Sequence, residues 1–104
     1  MFFRKKYDGV IEAVRYTPQG WLSEARVFKR VGAAFSDRII LNREQLIEQI
    51  NEGKRYMVGK RKAYMAGSFE VSSQVRLLER PDRDTLYTHQ PYTDRDDLQG
   101  APLF

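Results

Sequence analysis

Apolar and polar residues alternate along most of the chain, and the alternation is interrupted once by a helical spacing. The run Gly9-Val10-Ile11-Glu12-Ala13-Val14-Arg15-Tyr16 is rich in β-branched and aromatic residues and predicts a first strand. Thr17-Pro18-Gln19-Gly20 predicts the turn after it, because Pro18 presets φ and Gly20 accepts a positive φ. From Trp21 to Val31 the alternation resumes. Trp21, Ala25, Val27 and Val31 are expected on one face, with Glu24, Arg26 and Arg30 on the other. The two segments should pair as an antiparallel hairpin.

Gly32 to Ser36 breaks the pattern, and Asp37 to Leu41 predicts a short third strand. The strongest local signal follows. Asn42 is a favoured N-cap, and Gln45 stands where it can reach back to the Asn42 amide as a variant capping box. Leu41 and Leu46 are spaced for a hydrophobic staple, and Leu46, Ile47 and Ile50 share one face. Gly53 occupies the place of a left-handed C-cap, so the helix is predicted over about 43–52. A helix of that length is not stable alone and must dock on the sheet.

Arg55 to Val58 predicts the next strand, with Gly59 as a bulge before Lys60 to Tyr64 and a turn at Ala66-Gly67. Phe69, Val71, Val75 and Leu77 then alternate with Glu70, Ser72, Gln74 and Arg76 in a long last strand. From Pro81 onward there are three prolines, five aspartates and no periodicity. The expected organisation is a β-rich domain over 1–80 and a polar, disordered tail over 81–104. The fold class is mostly β with one short helix, in the order β-β-β-α-β-β. Antiparallel strands that must hide their edges favour a small barrel or curled sheet. The helix position matches the element order of the oligonucleotide-binding (OB) barrel, and an SH3-like barrel or open sheet fits nearly as well.

Charge adds one asymmetry. Residues 1–80 carry a balance of +7 and residues 81–104 a balance of −3. A basic body with an acidic tail suits either an anionic partner or simple solubility. No apolar run approaches the ~20 residues of a membrane span, so no membrane contact is expected. Met1-Phe2-Phe3 ahead of Arg4-Lys5-Lys6, with no apolar stretch behind, does not read as a signal peptide. The chain has no cysteine, which excludes disulfides and thiolate metal sites and points to the cytoplasm.

Candidate chemistry is sparse. His89 is the single histidine and falls in the tail with no other ligands near it, so no metal site is expected. Without cysteine or histidine in the body, Ser–His and Cys–His chemistry is excluded there. Asp8, Glu12, Glu24, Asp37 and Glu70 show no spacing that pairs two carboxylates on one face. Gly53 to Lys60 fails as a phosphate loop, with five residues between its glycines and Arg61 where a Ser or Thr belongs. No catalytic residue, cofactor or enzyme activity is predicted.

The run from Lys54 to Tyr64 is the most suggestive. Lys54, Arg55, Lys60, Arg61 and Lys62 are interleaved with Tyr56 and Tyr64, the mixture that holds single-stranded nucleic acid through phosphates and stacked bases. Those seven residues are the candidate site for single-stranded DNA or RNA, in a non-enzymatic binding module. Basic residues flanking hydrophobic strands also guard against edge pairing, and a core position for Tyr56 fits the pattern equally well. The alternative is a protein-interaction or assembly domain. It would use its tail ending in Leu103-Phe104, the acidic stripe Glu44, Glu48 and Glu52, or a sheet edge.

Overall fold

The computed structural model describes residues 7–32, 34–61, 69–79, 83–88 and 95–104. Its elements are β1 (Gly9–Tyr16), β2 (Leu22–Val31), β3 (Ala34–Phe35), β4 (Ile39–Asn42), α1 (Arg43–Asn51), β5 (Tyr56–Arg61), β6 (Phe69–Gln74), β7 (Arg76–Leu78) and β8 (Thr85–Tyr87). The chain is mostly β with one helix, as the pattern predicts. The Ala66-Gly67 turn lies outside the described residues.

β1 and β2 form the predicted antiparallel hairpin, and Gly20 closes its turn with φ 94°. β3 and β4 share the outer edge of β2, while β5 lies parallel to β1 on the other side and β6 antiparallel to β5. Among the described residues the sheet does not close into a barrel. Its two rims are β3–β4 and β6. β7 and β8 make a separate two-stranded ribbon that branches off at Val75.

Alternation alone does not describe β1, because the sheet is covered on both faces. Val10, Phe28 and Phe69 pack on one side with Tyr7, Phe35 and Val71. Ile11, Val14, Ala25, Val27, Leu41, Leu46, Tyr56 and Val58 belong to the main core beneath the helix. Ile11 and Val14 are three residues apart yet share that face. A register shift between Ile11 and Ala13 explains it, since a bulge at Glu12 re-phases the strand. The face predicted for β2 also needs correction: Val31, expected inside, is 64% exposed, and Phe28 is buried.

Helix α1 follows its local signals. The Asn42 side chain accepts from the Gln45 amide at 2.8 Å, and the Gln45 side chain accepts from the Asn42 amide at 2.9 Å. At the other end the Gly53 amide donates to the Ile50 carbonyl and the Lys54 amide to the Gln49 carbonyl, which is the Schellman arrangement, with Gly53 at φ 95°. The bulge at Gly59 is also present, and a Cβ there would lie 2.6 Å from the Glu70 carbonyl oxygen. Only glycine fits.

The expected tail is the largest departure. Residues 85–87 pair with β7, and Leu86 and Leu98 are core residues with 0% and 2% exposure. Asp96 accepts from the Leu22 and Leu86 amides and from Arg43. The Val14 amide donates to the Pro102 carbonyl, and the Phe104 amide donates to the Val14 carbonyl. The radius of gyration, 13.6 Å, is close to the ~13 Å of a packed chain this long. Among the described residues, 83–88 and 95–104 are therefore part of the domain. Composition missed this because few apolar residues suffice when each lands in a core that others have built.

Candidate nucleic-acid interface

Among the described residues, the run that begins at Lys54 does not stay together as one surface. Lys54 and Arg55 leave the helix cap exposed to solvent. The backbone beneath them is pinned: the Arg55 carbonyl accepts from the Asp8 and Gly9 amides, and the Arg55 amide donates to Asp8 Oδ2 at 2.9 Å. Both side chains therefore project from a fixed base. Tyr56 comes next and turns the other way.

Tyr56 is 1% exposed, so its ring cannot stack on a base. It packs where Gly9 leaves space, because a Cβ on Gly9 would stand 2.4 Å from the Tyr56 ring. The Tyr56 hydroxyl donates to Gln49 Oε1, tying β5 to the helix. Burial, with the charge of Asp8 as a smaller contribution, pushes its pKa up to about 12. Tyr56 is a structural residue, and its place in the candidate site is corrected accordingly.

Lys60 lies further along β5, exposed, directly opposite Glu70 and with Nζ 3.6 Å from its carboxylate. A surface pair of that kind contributes about 0–1 kcal/mol and leaves the lysine largely available. Arg61 closes β5 opposite Phe69. Lys62 and Tyr64 lie outside the described residues, as does His89. Lys54 and Lys60 are separated by nearly the whole strand, roughly 20 Å at 3.3 Å per residue. Among the described residues, Lys54 and Arg55 therefore stand at one end of β5 and Lys60 near the other.

The end at Lys54 and Arg55 gains partners that the sequence run did not contain. An open groove of about 700 Å³ runs between the C-terminal end of α1 and the β7–β8 ribbon. Lys54 and Arg55 line one wall, with Arg76, Gln74 and Tyr87 on the other. Arg76 and Tyr87 are cross-strand partners, so a cation and an aromatic ring sit side by side on the ribbon. Glu79 is the carboxylate among the described lining residues.

Four arginines elsewhere are held in ion pairs. Arg15 pairs with Glu24, Arg26 and Arg38 with Glu12, and Arg43 with Asp96. Lys54, Arg55 and Arg76 have no ion pair among the described residues. The acidic helix stripe does not supply one either: Glu44, Glu48 and Glu52 are exposed and make no salt bridge with Lys54 or Arg55.

Neither Arg76 nor Tyr87 is marked as a groove residue by the local sequence, for different reasons. Arg76 looked like an ordinary polar position in an alternating strand. Tyr87 sat in the presumed tail. The available signal was the pair of apolar dipeptides Leu77-Leu78 and Leu86-Tyr87, spaced for a hairpin.

No group of three or more metal-ligating side chains converges among the described residues. No helix among them is long and apolar enough to cross a membrane. Compared with known protein families, with curated proteins and with solved structures, the chain finds no match.

Proposed function

We propose that the protein is a non-enzymatic binding module for single-stranded DNA or RNA, held in the groove between the end of α1 and the β7–β8 ribbon. One observation carries this reading. Lys54 and Arg55 on the α1–β5 connection and Arg76 on β7 line the same groove, free of ion pairs among the described residues, beside Tyr87. Cations placed around a groove neutralise a phosphate backbone, and an aromatic face beside them takes a base without demanding a particular one. Lys60, at the far end of β5, extends the charge along the strand. The absence of cysteine suits a cytoplasmic setting.

Fluorescence anisotropy with labelled single-stranded oligonucleotides at several salt concentrations tests it. The log–log salt slope is expected to flatten by about two units in Lys54→Gln/Arg55→Gln/Arg76→Gln, at ~0.7 per lost phosphate contact. Tyr87→Ala is expected to weaken binding by ~1–3 kcal/mol with the slope nearly unchanged, because stacking releases no counterions. Affinity that ignores Tyr87 and falls equally when Lys29 and Arg30 are changed would reduce the effect to general charge.

A further inference from the structure

The groove between α1 and the β7–β8 ribbon is lined by the cations Lys54, Arg55 and Arg76 and, among the described residues, by one carboxylate, Glu79. Glu79 is exposed and makes no ion pair with any of the three among the described residues. A carboxylate left unpaired in a phosphate-binding groove opposes the cations around it, because like charges repel. It ceases to do so where it meets a hydrogen-bond donor, and on a nucleic acid strand such donors lie on the bases, not on the phosphates.

The ribbon places Glu79 on the base side of the groove. Arg76 pairs with Tyr87, Leu77 with Leu86 and Leu78 with Thr85, so Glu79 is the first residue past the paired length of β7. It lies roughly 10 Å along the strand from the Arg76–Tyr87 pair, at ~3.3 Å per residue. Tyr87 is anchored on both sides, by Arg76 and by a parallel bridge to Asp97, and its side chain is half-buried, so part of the ring is open to the groove. A purine stacked on Tyr87 and a glutamate side chain extended along the ribbon together span that distance. Lys54 and Arg55, adjacent on the opposite wall, face the phosphates.

A carboxylate has two oxygens and only accepts. Guanine alone among the standard bases offers two adjacent donors on one edge, N1–H and the 2-amino group. The amines of adenine and cytosine are flanked by ring nitrogens that accept, and the N3–H of thymine or uracil stands between two carbonyls. Each of those edges sets an acceptor against one of the carboxylate oxygens. Bases of a single strand are unstacked and expose these edges.

We propose that Glu79 reads guanine, so that the groove selects single strands carrying a guanine stacked on Tyr87 with its N1–H and 2-amino group on the Glu79 carboxylate. The selection rests on the single-strand reading of the groove. It gives the carboxylate a partner that no cation of the groove supplies, through charge-assisted hydrogen bonds at both oxygens.

Fluorescence anisotropy with short all-thymidine strands, and with the same strands carrying one central guanine, tests it. One guanine per strand keeps strands from associating with each other. The guanine strand is expected to bind about tenfold more tightly than the all-thymidine strand, the scale of one bidentate base contact. Hypoxanthine in place of guanine, which lacks the 2-amino group, should lose most of that gain. Glu79→Gln should weaken the guanine strand by about tenfold and leave the all-thymidine strand unchanged or tighter, since the repulsion is gone as well. Circular dichroism checks that the variant keeps its sheet. Equal affinity for the two strands would overturn the proposal. So would a Glu79→Gln variant that binds every strand more tightly by the same factor, which would make Glu79 a repelling charge and nothing more. In both cases the salt slope and the loss in Tyr87→Ala still stand, and the single-strand reading with them. Failure of every strand to bind would remove that reading and the guanine selection together.

Discussion

The Arg43 guanidinium meets the Asp96 carboxylate in the core, with Nε 2.7 Å from Oδ2 and both side chains almost fully buried. Asp96 does more than balance a charge. Its two oxygens also accept from the Leu22 amide at 2.6 Å and the Leu86 amide at 2.9 Å, while Arg43 reaches the Asp84 carbonyl. The start of β2, the first turn of α1 and the strand β8 are joined at one carboxylate. Arg43 and Arg83 both lie over the Trp21 ring.

Asp96→Ala is expected to destabilise the fold by ~3–5 kcal/mol, because it leaves Arg43 buried without its counter-charge. Arg43→Met in the same chain should recover only part of that loss. The Leu22 and Leu86 amides would still lack an acceptor, at ~1–3 kcal/mol each. Urea melts of the single and double variants measure both. Full recovery would mean that the pair, not the amide contacts, sets the cost.

A chain ending at Arg80 is expected to lose its cooperative thermal transition. It lacks Leu86, Leu98 and Asp96, and Leu→Ala at a single such core site already costs ~2–5 kcal/mol. Against a total stability of ~5–15 kcal/mol, losing all of them leaves too little. Leu98→Ala in the full chain is the milder form of the same test. A truncated protein that melts like the parent would return residues 81–104 to the status of a tail.

Gly9→Ala is expected to cost ~1–3 kcal/mol through overpacking, since the new methyl would press into the Tyr56 ring, which is held in the core. Gly53→Ala should cost less, about 1 kcal/mol. Nothing lies within 4 Å of the position, and only the left-handed backbone resists the substitution. Thermal melts of the two variants separate a steric requirement for glycine from a conformational one.

Alkaline pH should weaken the fold in a defined window. The Tyr56 hydroxyl has its pKa raised from 10.0 to about 12, so the folded state favours the protonated phenol. That contribution is complete below pH 10, the unfolded value, and is lost as pH rises toward 12. Each pH unit between them removes about 1.4 kcal/mol. Tyr16, raised by burial and accepting from the Leu98 amide, acts in the same direction. Urea midpoints between pH 9 and 12 should fall less steeply in Tyr56→Phe. An equal fall in both proteins would move the alkaline sensitivity elsewhere.

What the sequence determined by itself is what short-range physics decides. The Asn42–Gln45 capping box, the Gly53 cap, the Pro18–Gly20 turn and the Gly59 bulge each depend on residues a few positions apart. Their signals survive whatever the rest of the chain does. The long-range pairings were decided only in three dimensions. Asp96 looks like one of five tail aspartates until Arg43, 53 residues away, and the Leu22 amide are brought to it. Tyr56 sits in a basic run that suggests a surface, but the missing side chain of Gly9 opens a place for it in the core. The groove follows the same rule, since Lys54 and Arg55 face Arg76 and Tyr87 only because the β7–β8 ribbon branches off at Val75 and returns beside the helix. Hydrophobic burial rewards whichever distant segments meet, and local pattern carries no record of which ones they are.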